Sequence, residues 1–161
     1  MTLAVGAGPA LAVGLAPQPT GLGRLFVVVR MERISAEIAA DGALPVTENQ
    51  PDGSGIVVGA NGFSLAGCGH ASFVAACLLG RQGGLRVRGS GVDEPSASSA
   101  RFIQVGIRLA ATHAFRRFDV SLHADGLRML PRWSVMLNDA VVWSTPRVAA
   151  LLGLDVTVRF F

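Results

Sequence analysis

The sequence predicts an α+β fold, an antiparallel sheet with one long central buried helix. Three observations carry this. Ala40-Asp41-Gly42 is a hairpin signal, because Asp-Gly supplies the positive φ angles that tight turns need. Gly62 to Arg81 runs without proline or acid and is apolar nearly all round, as a buried helix would be. Arg101 to Ala110 alternates strictly, with Ile103, Val105, Ile107 and Leu109 expected to face the core.

The elements follow in order. Residues 1–23 are mostly Ala, Gly, Pro, Val and Leu and carry no charge, so they are expected to form a flexible tail ahead of a single domain over 24–161. The apolar part, Leu3 to Ala16, has the length of a signal-peptide core but no positive flank, and it is too short and too broken to span a bilayer as a helix. Gly6, Gly8 and Gly14 resemble a phosphate loop only loosely, with no strand before them. Leu25 to Val29 is a β-branched strand. Ile34, Ala36 and Ile38 share one face of the next, and Leu44 to Thr47 returns after the Asp-Gly turn. Gln50 to Gly55 is a loop. The helix is expected from about Phe63 to Arg81, capped by Asn61 or Ser64 and stopped at Gly83-Gly84. Leu85 to Gly89 is a strand, and Gly91 to Ser99 a polar loop. Asp125 to Trp143 is irregular because Pro131 interrupts it. Pro146 to Leu152 suits a short helix, and Leu154 to Phe160 closes the domain as a strand.

Composition narrows the function classes. The chain of 161 residues carries a net charge of +3 and is 50% hydrophobic. Its basic residues are all arginine and are scattered, without aromatic interleaving, so nucleic acid is not an expected partner. The aliphatic load, with no tyrosine, suggests apolar surface covered by a partner subunit. Two cysteines make neither a disulfide framework nor a zinc site. On a helix, nine residues turn Cys77 about 180° from Cys68 and lift it about 13.5 Å, so the two cannot bridge and are expected as free thiols in a reducing compartment.

Cys68 is the candidate nucleophile, since it falls in the first turns of the expected helix, where the helix dipole helps hold a thiolate. Arg33, or Arg30 three residues before it, could add a cation, but not both, because they face opposite ways on a strand. Cys77 is expected to pack. His70 lies about 200° round the helix from Cys68 and so does not pair with it. His113 and His123 receive no role, and Trp133 and Trp143 are expected in the core or lining a substrate pocket. A buried, inert Cys68 is the alternative.

The collinear set of these pieces resembles the OsmC/Ohr family of thiol-dependent hydroperoxide reductases. The matching segments are Ile34 to Val46, Leu65 to Cys68 with Gly80 to Val87, Val92-Asp-Glu-Pro, Arg101 to Leu109, and Ser144 to Val158. The resemblance implies a cytoplasmic, intertwined homodimer with a peroxidatic cysteine at Cys68, no metal and no organic cofactor. Such an antioxidant oxidoreductase would act in the oxidative stress response, with a small-molecule hydroperoxide and an external thiol reductant as partners and no membrane. The chain departs from the family at the resolving cysteine, where Ser144, Thr145 and Pro146 stand, and it lacks the glutamate of the family's long helix. The alternative is therefore a non-catalytic OsmC-fold dimer that binds an apolar small molecule or a partner. An aspartate/glutamate racemase-type isomerase would need a second half-domain and is disfavoured by length.

Overall fold

The computed structural model describes residues 1–49, 55–90, 97–131, 133–137 and 140–160. Among these it contains strands and no helix: β1 Thr2–Val13, β2 Thr20–Met31, β3 Ile34–Ala43, β4 Val46–Asn49, β5 Gly55–Ala71, β6 Val74–Ser90, β7 Ala97–Phe115, β8 Phe118–Leu130, β9 Ser134–Leu137, β10 Ala140–Ser144 and β11 Val148–Arg159. Eight long strands pair antiparallel in the order β3-β2-β1-β11-β8-β7-β6-β5, and β5 pairs back onto β3 to close a barrel. β4 prolongs β3 beside the start of β5, and β9 and β10 form a separate hairpin.

The long strands alternate, but with the faces reversed from a soluble protein. On β7, Ile103, Val105, Ile107 and Leu109 point outward, Ile107 with 58% of its surface exposed. Their neighbours Gln104 and Arg108 point into the barrel, at 0% and 6%. The same holds on β6, where Leu78 is 74% exposed and Arg81 is 4% exposed. β1 carries Leu3, Val5, Leu11 and Val13 outside and Ala4, Gly6, Ala10 and Ala12 inside. Small inward residues make room for large ones opposite. Gly6 lies under the Phe26 ring and Gly153 under the His123 imidazole, each so close that a Cβ would overlap the ring.

The two ends differ. At one end the strands join through two-residue turns, Glu32-Arg33, Ser72-Phe73 and Arg116-Arg117, and both chain termini lie there. Glu32 and Ser72 hold left-handed φ angles of 45° and 57°, the backbone bend that reverses a hairpin so tightly. The strand ends that the longer connections 14–19, 50–54, 91–96 and 131–147 join are all at the other end. There the lumen is filled by an apolar cluster including Leu15, Leu22, Ile56, Val58, Leu85, Phe102 and Met129.

The architecture overturns the α+β expectation. The stretch expected as one buried helix is a hairpin, β5 and β6, turning at Ser72-Phe73. Its small residues fit a barrel wall as well as a helix, and the period that decides the matter is two: Phe63 and Leu65 face out while Ser64 and Ala66 face in. Asp41-Gly42 is not a turn. It lies within β3, with Asp41 turned to the lumen and bonded to Arg81. Where a flexible tail was expected over residues 1–23, β1 and the first residues of β2 form a wall of the barrel, and β1 pairs with β11 as well as β2. Pro146 to Leu152, expected as a short helix, leads into β11. An intertwined dimer is not needed to complete the sheet, because one chain closes it. Of the loops expected over Gln50 to Gly55 and Gly91 to Ser99, residues 50–54 and 91–96 lie outside the described residues, while Gly55 opens β5 and 97–99 open β7.

Candidate functional site

The chemistry-bearing side chains gather inside the barrel, because strand alternation sends every second residue inward and those residues are polar through the middle of the wall. One layer lies nearer the turn end. Arg108 donates from Nε and Nη2 to both carboxylate oxygens of Asp125, at 2.7 and 2.8 Å, and from Nη1 to Glu37 Oε1 at 2.8 Å. Arg24 donates to the same Glu37 oxygen at 2.5 Å and to Asp155 Oδ2 at 2.6 Å. His123 stands between Asp125 and Asp155, with Nδ1 3.0 Å from Asp125 Oδ1 and Nε2 3.4 Å from Asp155 Oδ2. Two guanidinium groups, an imidazole and three carboxylates, from five strands in all, thus form one connected network.

A second layer sits toward the loop end. Arg81 donates from Nε to Asp41 Oδ2 at 3.0 Å, from Nη2 to Asp41 Oδ1, and from Nη1 to Gln104 Oε1 at 2.8 Å. Its guanidinium carbon lies 5.1 Å from the centroid of the Phe102 ring, and that of Arg24 lies 4.7 Å from Phe26. Between the layers a void of about 20 Å³ remains. The described lumen is therefore packed across its middle by charged side chains and at the loop end by apolar ones.

Toward the turn end the lumen is hollow. A vestibule of about 770 Å³ opens there, with Arg108, Glu37, His123 and Asp155 at its floor and Arg30, Glu32, Asp119 and Arg159 among its lining. On its wall Ser35 Oγ and His70 Nε2 lie 2.8 Å apart, and Thr112 Oγ1 donates to Ser121 Oγ at 3.1 Å.

The residues singled out in the sequence are distributed through this frame. Cys68 and Cys77 face each other across β5 and β6 and are joined by a disulfide that lines the vestibule. The helical geometry that kept them apart does not apply, since on a hairpin turning at 72–73 they are direct partners, both pointing inward. Neither cysteine is free. Arg33 is exposed in the β2–β3 turn, and Arg30 lines the vestibule. His70 is two residues along the same inward face as Cys68. His113 stacks edge-on with Phe115 near the turn end, at 4.6 Å between centroids. Ser144 and Thr145 brace the loop-end hairpin: Ser144 Oγ lies 2.9 Å from Ser134 Oγ, and Thr145 Oγ1 accepts from the Trp133 amide at 2.8 Å. Trp133 donates to the Arg101 carbonyl at 2.8 Å, and Trp143 packs on the apolar plug. Sequence reasoning missed the lumenal set of Arg24, Glu37, Arg81, Gln104, Arg108, Asp125 and Asp155. Their signal was a polar residue at every second position between outward aliphatics.

No protein-family model and no curated protein matches the chain. Solved structures do. Ail, the attachment invasion locus protein of Yersinia pestis, aligns with a TM-score of 0.59 at 8% identity, over 99% of this chain and 97% of the other. Neisserial surface protein A aligns at 0.57 and 14%, over 99% and 96%. A major outer membrane protein of Thermus thermophilus aligns at 0.53 and 10%, over 98% and 99%. At such identities the likeness shows the fold.

That fold corrects the functional expectations. The OsmC/Ohr resemblance fails, because its α+β frame and central helix are absent among the described residues. With it go the thiol peroxidase of the oxidative stress response, its hydroperoxide and external thiol, and the non-catalytic OsmC-fold dimer. The expectations of a cytoplasmic protein with no membrane partner are corrected as well. The structural neighbours include a surface protein and an outer membrane protein, and the apolar face of this barrel is its outside.

Proposed function

We propose that the chain is an integral outer-membrane β-barrel whose lumen is closed to solutes and whose loop end faces out of the cell. One observation carries the reading, the inside-out distribution of side chains: aliphatic residues ring the exterior while arginines and carboxylates fill the interior. In water such an exterior would be an aggregation surface; in hydrocarbon it is the favoured one. A closed barrel is also the one sheet that leaves no unpaired edge in lipid.

The dimensions agree. β1, β2 and β11 have 12 residues each. At about 3.3 Å per residue and a tilt of about 40°, such a strand rises roughly 30 Å, enough for the ~25 Å apolar band of these barrels. Phe73, Phe115, Phe118 and Phe160 are exposed at the turn end, where an aromatic girdle belongs. Short turns on the periplasmic side and longer loops outside fit the two ends described. The Cys68–Cys77 disulfide suits an oxidising compartment such as the periplasm.

The test is folding of the purified full chain from urea. In the presence of detergent micelles or lipid vesicles the expected product is a β-rich species that migrates differently in gels before and after boiling. A monodisperse, soluble, β-rich monomer obtained without detergent would sink the proposal. Vesicles carrying the protein are expected to retain small sugars and ions, since two polar layers and an apolar plug fill the lumen.

A further inference from the structure

The outward face carries arginines at the loop end of one side of the barrel. Arg86 and Arg88 on β6, Arg101 on β7 and Arg128 on β8 are all exposed, in the parity that points away from the lumen. Below them on the same faces are aliphatics: Leu78 on β6, Val105 and Ile107 on β7, Leu122 on β8. Arg128 stands apart, opposite Val105 and four residues along β7 from Arg101. Arg101 stands opposite Gly84, so Arg86 is its diagonal neighbour, and Arg88 follows two residues along β6. Such neighbours on one sheet face lie roughly 7–8 Å apart, and like charges this close destabilise unless something neutralises them.

Nothing among the described residues does so. Among the described residues no acid pairs with any of the four. Of the described acids, Asp41 and Glu48, toward the loop end, are engaged elsewhere, by Arg81 and by Gln18 at 2.8 Å. At the opposite end the exposed Arg33, Arg116 and Arg117 sit in the two-residue turns, and the residues exposed beside them include Phe73, Phe115 and Phe118.

Resting on the reading of the chain as an outer-membrane barrel, we propose that Arg86, Arg88, Arg101 and Arg128 form a docking rim for the phosphate-bearing headgroups of lipids in the leaflet at the loop end. Charge complementarity and depth both point to that occupant. The guanidinium groups rise from the upper edge of the apolar band, where long arginine stems lie along hydrocarbon while their heads reach the interface. Planar, forked donors suit phosphate oxygens, which accept two bonds at once. A phosphate between Arg86 and Arg101 would relieve their repulsion.

The experiment folds the full chain in a neutral detergent and titrates it with lipid A bearing both phosphates or with the same lipid dephosphorylated, counting bound lipid by native mass spectrometry. Wild type is expected to favour the phosphorylated form by roughly tenfold or more, as several arginines acting on one anionic headgroup would give. The combined variant R86Q/R88Q/R101Q/R128Q is expected to lose that preference while keeping its boiling-dependent gel shift. The variant R116Q/R117Q, altered at the turn end, is expected to retain it. Equal binding of the two lipids by wild type, an undiminished preference in the fourfold variant, or an equal loss in R116Q/R117Q overturns the proposal while leaving the barrel reading intact. A chain that never folds into micelles overturns both.

Discussion

Removing the guanidinium of Arg108 tests the lumenal network most directly. Arg108→Met keeps the length of the side chain and deletes three charge-assisted hydrogen bonds, two to Asp125 and one to Glu37. Both carboxylates keep one partner, Glu37 through Arg24 at 2.5 Å and Asp125 through His123 at 3.0 Å. Breaking a buried ion pair by removing one partner costs about 3–5 kcal/mol, and the surviving partners put this case near the lower figure. Asp125→Asn is expected to cost less, since the amide oxygen can still accept from Arg108. The double variant Arg108→Met/Asp125→Leu removes the stranded charge with its partner. It is therefore expected to be less destabilised than the sum of Arg108→Met and Asp125→Leu, by about 1–3 kcal/mol of coupling. The assay is reversible urea unfolding in lipid vesicles, followed through the fluorescence of Trp133 and Trp143. A loss below about 1 kcal/mol for Arg108→Met, or strict additivity in the cycle, would refute the claim that this layer is a coupled network.

Three further outcomes follow from the same geometry. Ile107→Arg, an outward position in the apolar band, is expected to cost about 2–4 kcal/mol in vesicles, whereas a solvent-facing site would tolerate it nearly free, so the same unfolding assay separates the two environments. The Cys68–Cys77 bond closes a segment with a sequence separation of 9, and by loop entropy its loss in Cys68→Ser/Cys77→Ser is expected to cost about 2.5 kcal/mol. Thiol titration of the unreduced wild type should find no free thiol, and two titratable thiols would contradict the bond. Gly153→Val drives a side chain into the His123 ring, so it is expected to destabilise the barrel by more than about 2 kcal/mol, while the same change at Gly126, with open space beside it, is expected to be mild.

The period of two was legible in the sequence; the side that meets the core was not. Ile103, Val105, Ile107 and Leu109 form an alternating set, and β7 contains them as a strand. Periodicity alone cannot say whether the apolar row faces a protein core or a lipid, because both are apolar. The partner row decides it. Gln104 and Arg108 are joined on other strands by Arg24, Arg81, Asp125 and Asp155, too many charged inward positions for a soluble core. The Gly62–Arg81 stretch misled for a related reason. Glycine and alanine are frequent in it, and they reveal neither a helical stripe nor a strand alternation strongly. The helix reading keeps Cys68 and Cys77 apart as free thiols, but their relation depends on the turn at Ser72-Phe73. Nothing in Ser-Phe signals a turn as Asn-Gly would. Asp41-Gly42 carries that signal and is not a turn, since Asp41 is held in β3 by Arg81.

The pairing of β1 with β11 bears on how the molecule is made. Seven of the eight junctions in the ring join strands that follow one another along the chain, if β4 is counted with β3 and the long connection before β11 with its neighbours. The eighth brings Ala4 beside Arg159 and Val13 beside Ala150. That seam cannot form until the last strand has emerged, so the hairpins must wait together as an open ribbon with two bare edges. Hydrocarbon does not tolerate such edges. A nascent ribbon therefore needs either a shielding partner or fast closure, and a chain stalled before Val148 would recruit strands from its neighbours.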